Sequence, residues 1–231
     1  MMRLLSVKKG KNPVITYQDI KNNENIRTYI EKADRSLIAL GFTEHSFAHV
    51  TKCAEVSGEI LSKLGYSERT VELAKIAGYM HDIGNLVNRV EHSQSGAVMA
   101  FRILNELGMD AGETAEIVTA IGNHDEGTGV PVSPLAAALI LADKSDVRRS
   151  RVRCDESEFD IHDRVNYSVE RSTLEISDDL KTILLSLDVN TEISPVMSYF
   201  EIFLERMTLC KKAAEALGLK FSLYINGQRM I

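Results

Sequence analysis

Six side chains, His49, His81, Asp82, His92, His124 and Asp143, combine the residue types that hold divalent cations with spacings that turn them inward. His49 lies in a helical stripe with Cys53, Val56 and Ile60, so it points where the apolar face points. His81 and Asp82 end the apolar run Leu73-Ala74-Lys75-Ile76-Ala77-Gly78-Tyr79-Met80. His92 begins a stripe through Gly96, Met99 and Ile103, His124 follows Ile117 and Ile121, and Asp143 follows Ala136, Leu139 and Ile140. A single inward histidine is ordinarily a hydrogen-bonded core residue. Six ionisable groups from five segments differ, because buried carboxylates without partners are costly and no lysine or arginine holds a matching inward position in these stripes. A divalent cation satisfies all six. Imidazole and carboxylate donors suit Fe, Mn, Ni, Co, Zn or Mg, and the lack of cysteine near the set argues against a structural zinc site.

The elements that must position these groups follow from periodicity and punctuation. Helices are expected over 25–39, 46–64, 68–82, 92–107, from 111 or 113 to 124, and from 133 past 143, with Ser67 as an N-cap and Pro134 at a first helical position. Beyond 155 the pattern changes to a short helix over 160–170, a hairpin from 172–176 and 181–189, a helix over 194–217 and a last strand over 220–225. The fold class expected is mainly α. Residues 1–25 form an arm or first short helix, 26–155 a helical metal-binding domain, and 156–231 a small C-terminal α+β unit of β-β-α-β order. Tyr199, Phe200 and Phe203 are expected in the core of that unit.

The ordered series His49, His81-Asp82-Ile83-Gly84, His92, His124, Asp143 resembles the HD superfamily of metal-dependent phosphohydrolases over about residues 40–153. The resemblance implies an HD-type helical bundle, a one-metal ligand set of His49, His81, Asp82 and Asp143, and His92 and His124 as the added ligands of two-metal members, with Asp82 bridging. The run Glu91-His92-Ser93-Gln94-Ser95-Gly96 and the turn Asn123 to Pro131 are similar to HD-GYP phosphodiesterases, which carry His-His and Gly-Tyr-Pro where this chain has Asn123-His124 and Gly129-Val130-Pro131. HD-type symmetrical dinucleoside tetraphosphate hydrolases are similar around His92 to Gly96 and around Leu141-Ala142-Asp143, with an arginine six residues on, here Arg149.

Composition bounds the rest. The 231 residues carry a net charge of −6, which argues against general nucleic-acid binding through phosphate neutralisation, and no run is apolar enough for a membrane span. Three scattered cysteines read as reduced thiols, and the N-terminus lacks an export signal, so a cytoplasmic protein is expected. Residues 144–153 sum to +4, so the remainder sums to −10. This basic segment marks Lys144 and Arg149 as candidate phosphate contacts, and His45, four residues before His49, as a candidate proton donor or substrate-orienting residue. His162 reads as a surface or helix-capping residue. The expected partner is a small phosphorylated substrate of nucleotide type, hydrolysed at a dinuclear site with Asp82 central. The competing class is a metal- or nucleotide-binding regulatory or scaffold protein with little or no catalysis. The last strand, ending in Leu223-Tyr224-Ile225, offers an edge for pairing with a second copy.

Overall fold

A computed structural model describes residues 14–231. The expected arm therefore lies mostly outside the described residues. What is described of it is a capped turn of helix, α1 (Tyr17–Asn22), whose Tyr17 and Ile20 enter the core. The helices that follow are α2 (Glu24–Ala39), α3 (Phe47–Lys63), α4 (Glu68–Met80), α5 (His92–Glu106), α6 (Ala111–Gly122) and α7 (Pro134–Lys144). Ser46, Ser67, Asp110 and Ser133 each accept a backbone N–H from the first turn of the helix they precede, satisfying donors that would otherwise be orphaned. His81 and Asp82 sit just past α4, followed by a 3-10 turn over Ile83–Leu86. His124 likewise lies beyond α6.

α7 is apolar around its whole circumference, and Leu135 through Ala142 are all buried. A helix with no polar face belongs in the middle. It packs against α3, α4, α6 and α9 (Val196–Ala216) and carries Asp143 near its C-terminal end. Full burial of Leu135, Leu139, Ile140 and Leu141 contributes about 1.5–3 kcal/mol apiece.

The C-terminal unit opens with α8 (Ile161–Ser168), held by a reciprocal capping box between Asp160 and Asp163. β1 (Val169–Ile176) pairs antiparallel with β2 (Thr182–Val189), which pairs parallel with β3 (Lys220–Ile225) across the α9 crossover. Ile183, Leu185, Leu187 and Val189 alternate inward along β2, as a half-buried strand requires. A two-residue strand, β4 (Gln228–Arg229), pairs with Tyr224 and Ile225, so the end of β3 offered for a second copy is covered by the chain itself. The unit is thus β-β-α-β-β. One apolar cluster runs from Tyr17 to Ile225 through both the helical bundle and this unit. No helix among the described residues is long and apolar enough to cross a membrane.

Candidate metal centre

Two glycines set the distances between the ligand-bearing elements. At Gly78 a Cβ would stand 2.7 Å from Ala54 Cα, so α4 rests on the backbone of α3 one helical turn before His81. At Gly84 it would stand 1.9 Å from the His92 carbonyl oxygen, so the turn after Asp82 lies against the first residue of α5. The residue before His92, Glu91, takes φ 56° and ψ 31°, a left-handed conformation that costs a non-glycine residue roughly 1–2 kcal/mol.

These approaches bring all six residues together. His49 Nε2 lies 3.3 Å from Asp143 Oδ1 and 3.5 Å from Asp82 Oδ2, and His81 Nε2 lies 3.3 Å from Asp82 Oδ2. His92 Nε2 is 3.5 Å from Asp82 Oδ1 and 3.1 Å from His124 Nε2. The imidazoles form an edge-to-face chain in which the His49–His81, His81–His124 and His92–His124 ring centroids are separated by 5.3, 4.9 and 5.0 Å.

The outward nitrogens show what the inward ones are for. His49 Nδ1 donates to Asp146 Oδ2 at 2.8 Å, His81 Nδ1 to the Gly78 carbonyl at 2.8 Å, His92 Nδ1 to Arg89 O at 3.1 Å and His124 Nδ1 to Ile121 O at 2.6 Å. Each partner is an acceptor, so each neutral ring keeps its Nε2 lone pair facing the centre. His92 and His124 then aim lone pairs at one another. His81 Nε2 and Asp82 Oδ2 are buried with no hydrogen-bond partner among the described residues. Orphaned, converging donor atoms of this kind fit a cation. His49, His81 and Asp143 form one group whose ligand atoms lie within 4.8 Å of one another, and His81, Asp82 and His124 form another.

Protonation follows the surroundings. Burial would raise the Asp82 and Asp143 carboxyls, but His81 beside the first and Lys144 beside the second outweigh it and hold both well below the usual carboxylate range. Burial opposes a charged His81, yet Asp82 and Asp143 keep its pKa above the ordinary histidine value. Burial, then repulsion from His81 and Lys144, holds His124 well below it, and burial also lowers His92.

Cys53 Sγ lies 3.7 Å from both ring nitrogens of His49 and shares the first group, which corrects the expectation of no cysteine near the set. Burial raises its pKa well above the usual thiol value, so it lines the centre as a neutral thiol. Lys144 supplies the inward cation that the stripes lacked: its Nζ is 2.9 Å from Asp143 Oδ2 and also pairs with Glu126. It is buried and held charged against that burial by Asp143 and Glu126.

The basic segment is not a free patch. Arg148 pairs with Asp146 and Glu44, Arg151 donates to the Glu44 and Asp146 carbonyls, and Arg153 pairs with Asp34. Arg149 donates to the Tyr167 carbonyl at 2.7 Å, pairs with Glu170 and lies over the Tyr167 ring, so the structure does not bring it to the cluster. His45 is brought there, its ring centroid 5.5 Å from that of His49 and its Nδ1 2.7 Å from Thr43 O.

Beside the cluster a cavity of about 360 Å³ opens. Phe42, His45 and Arg89 line it together with His162, Phe203 and Arg206 from α8 and α9. His162 is exposed, but on the cavity wall, and helix capping falls to Asp160 and Asp163. Tyr199 and Phe203 are buried as expected. Sequence reasoning missed Asp146, Glu126, Arg89 and Arg206. Asp146 alone left a trace, as the one acid among the five bases of residues 144–153.

The HD domain family model matches residues 46–148, the span that holds every member of the cluster. Residues 46–148 of the chain thus form an HD domain. Outside that span lie α1, α2, the cavity-lining residues Phe42 and His45, and the whole C-terminal unit. An uncharacterized protein of Methanocaldococcus jannaschii is 24% identical over 205 residues, covering 78% of each chain. Ribonuclease Y of Lawsonia intracellularis is 33% identical over 105 residues, 46% of this chain and 18% of that protein. A crystal structure described as a predicted HD superfamily hydrolase, from an uncultured Thermotogales bacterium, is similar at 26% identity and a TM-score of 0.43, covering 54% of this chain and 67% of that one. The HD domain and its His/Asp cluster support a metal-dependent hydrolase.

Proposed function

We propose that this HD protein is a dinuclear metal-dependent phosphohydrolase that cleaves a phosphoester or phosphoanhydride of a nucleotide or a related small phosphate compound. The observation that carries the reading is the pair of orphaned, buried ligand atoms, His81 Nε2 and Asp82 Oδ2, between imidazoles that all present Nε2. His49, His81, Asp82 and Asp143 would hold one ion, and Asp82, His92 and His124 the other. Divalent ions in such a site neutralise phosphoryl charge and lower the pKa of water towards neutrality.

The chain's own groups do the remaining work. Asp82 offers its two oxygens to the two halves of the cluster, Oδ2 towards His49 and His81 and Oδ1 towards His92. Asn85 donates to Asp82 Oδ1 at 3.0 Å and fixes the carboxylate plane. His45 is held neutral well below its ordinary pKa, chiefly by burial and then by Arg151, with its Nδ1 proton on Thr43 O. Its Nε2 therefore accepts a proton or a hydrogen bond at the cavity edge and does not start as a proton donor. Lys144, locked to Asp143 and Glu126, balances the carboxylates and is not among the residues lining the cavity.

The name of Ribonuclease Y makes RNA a competing substrate, although the match spans only 18% of that protein. Protein loaded with manganese or iron and offered nucleotides, dinucleoside polyphosphates, cyclic dinucleotides and RNA should release product from a small phosphate compound, and Asp82→Ala should abolish turnover. Stoichiometric metal with no turnover on any of them favours the binding or scaffold reading. Elemental analysis finding no transition metal after native purification and reconstitution removes the dinuclear reading and leaves a nucleotide-binding or scaffold protein.

A further inference from the structure

We infer that Arg206 of α9, acting with Arg89 of the same cavity, is a phosphate-binding residue, so that the C-terminal unit shares substrate selection with the HD domain. The inference rests on the reading above, since it names how that site takes its substrate. Arg206 lies 4.6 Å from the Phe203 ring centroid, and Arg89 lies 5.6 Å from that of Phe42. Both stacks line the same cavity. A guanidinium stacked on a ring is fixed in plane and presents its N–H edge, the fork geometry that receives two phosphoryl oxygens.

Each arginine is also tied to the centre. Arg206 Nε donates to Glu126 Oε1 at 2.9 Å, a bond that leaves the Nη edge for an oxyanion, and the other Glu126 oxygen pairs with Lys144 beside Asp143. Arg89 Nη1 stands 3.5 Å from His92 Nε2. Arg89 thus meets the His92 end of the cluster directly, and Arg206 is linked to Asp143 through Glu126 and Lys144.

The cavity, at about 360 Å³, has the size of a small-molecule site. The ring of His162 and the face of Phe42, 40% exposed, stand beside the arginines as stacking surfaces for a planar group. The ligand class is a phosphate compound of mononucleotide size, gripped at its phosphate by Arg206 and Arg89 and at its ring by His162 and Phe42.

Binding of inorganic phosphate and of adenosine 5′-monophosphate to the manganese-loaded protein, followed by calorimetry, tests this without turnover. Arg206→Ala should weaken both ligands at least tenfold with metal content per chain unchanged. Arg206→Lys should recover part of the affinity, because the charge returns without the fork. His162→Ala should weaken the mononucleotide several-fold and leave inorganic phosphate unaffected, and Arg102→Ala, on the exposed face of α5, should change neither. Unaltered phosphate affinity in Arg206→Ala overturns the inference. So does loss of metal in step with phosphate, which would make Arg206 a support for Asp143 through Glu126 and Lys144. Where a substrate is turned over, Arg206→Ala should raise KM more than it lowers kcat. An internal phosphodiester of a ten-nucleotide RNA cut as fast as a mononucleotide overturns the size selection. Failure of the phosphohydrolase reading would appear instead as intact phosphate binding, sensitive to Arg206, with no turnover.

Discussion

The two ends of the His/Asp cluster are braced by different chemistry. At the His49 end the orienting partner is a carboxylate, Asp146, which is itself fully buried and accepts Lys52 Nζ at 2.7 Å and Arg148 Nε at 2.9 Å. At the other end His92 and His124 are oriented only by the carbonyls of Arg89 and Ile121, and their neighbour Asp125 is partly exposed. A carboxylate behind an imidazole raises the basicity of the ligand nitrogen and a carbonyl does so less. Under the dinuclear reading, the His49 end is therefore the tighter site and the His92 end the exchangeable one, next to the cavity.

Asp146→Ala is the change that breaks this contrast most severely. It strands Lys52 and Arg148 beside a buried void and frees the His49 ring, so a loss of about 3–5 kcal/mol is expected from the broken buried network. At about 2–4 °C per kcal/mol for a chain of this size, thermal melting should drop by roughly ten degrees. Asp146→Asn keeps the shape and separates the two effects: about a 10–100-fold loss of metal affinity with a smaller loss of stability. Metal affinity at the wild-type value in Asp146→Asn would show that the carboxylate is structural only.

Gly84→Ala attacks the join between the two ends. Its Cβ would meet backbone at 1.9 and 2.5 Å, atoms that cannot rotate away, so the turn carrying Asp82 must separate from α5. Overpacking of this kind costs about 1–3 kcal/mol. The expected signature is an apparent metal stoichiometry falling from two towards one, read by elemental analysis after dialysis.

His124→Ala should be milder still, removing the second ion while the first binds with nearly its original affinity. Because His49 and Asp143 do not depend on the Ile121 carbonyl, fold stability measured without metal should change little beyond the truncation itself. Equal loss of both ions in this variant would contradict independent ends.

The same division explains what the sequence made legible. The ligands sit on regular stripes or at the ends of apolar helices, where periodicity reports direction, and all six converge. The supporting residues obey no such rule. Arg206 lies on a helix read only for its aromatic core, and it reaches Glu126 across 80 positions of chain. Arg149 illustrates the converse: a run of five bases reads as an anionic-ligand patch, but each base is matched to an acid or carbonyl that the tertiary fold brings near, Glu126, Glu44, the Tyr167 and Glu44 carbonyls and Asp34. Local sequence fixes the face of a helix, whereas pairing of long charged side chains is decided by non-local packing.

The smallest expected effect is on the pH dependence of the metal-free protein, where the two ends should oppose one another. His81 has a pKa raised by Asp82 and Asp143 against the effect of burial, so its contribution to stability is fully present below the unfolded value near 6.5 and is lost as pH rises through the folded value. His124 has its pKa lowered by burial and by the neighbouring cations, so its buried neutral form loses stability as pH falls below that same unfolded value. In the presence of chelator, the melting temperature of His81→Gln relative to the unsubstituted protein should fall as pH is lowered from 8 to 6, and that of His124→Gln should rise. Each pKa unit is worth about 1.4 kcal/mol, so shifts of a few degrees are measurable. Parallel shifts in the two variants would mean that the cluster titrates as one unit, and the contrast between its ends would then rest on bracing alone.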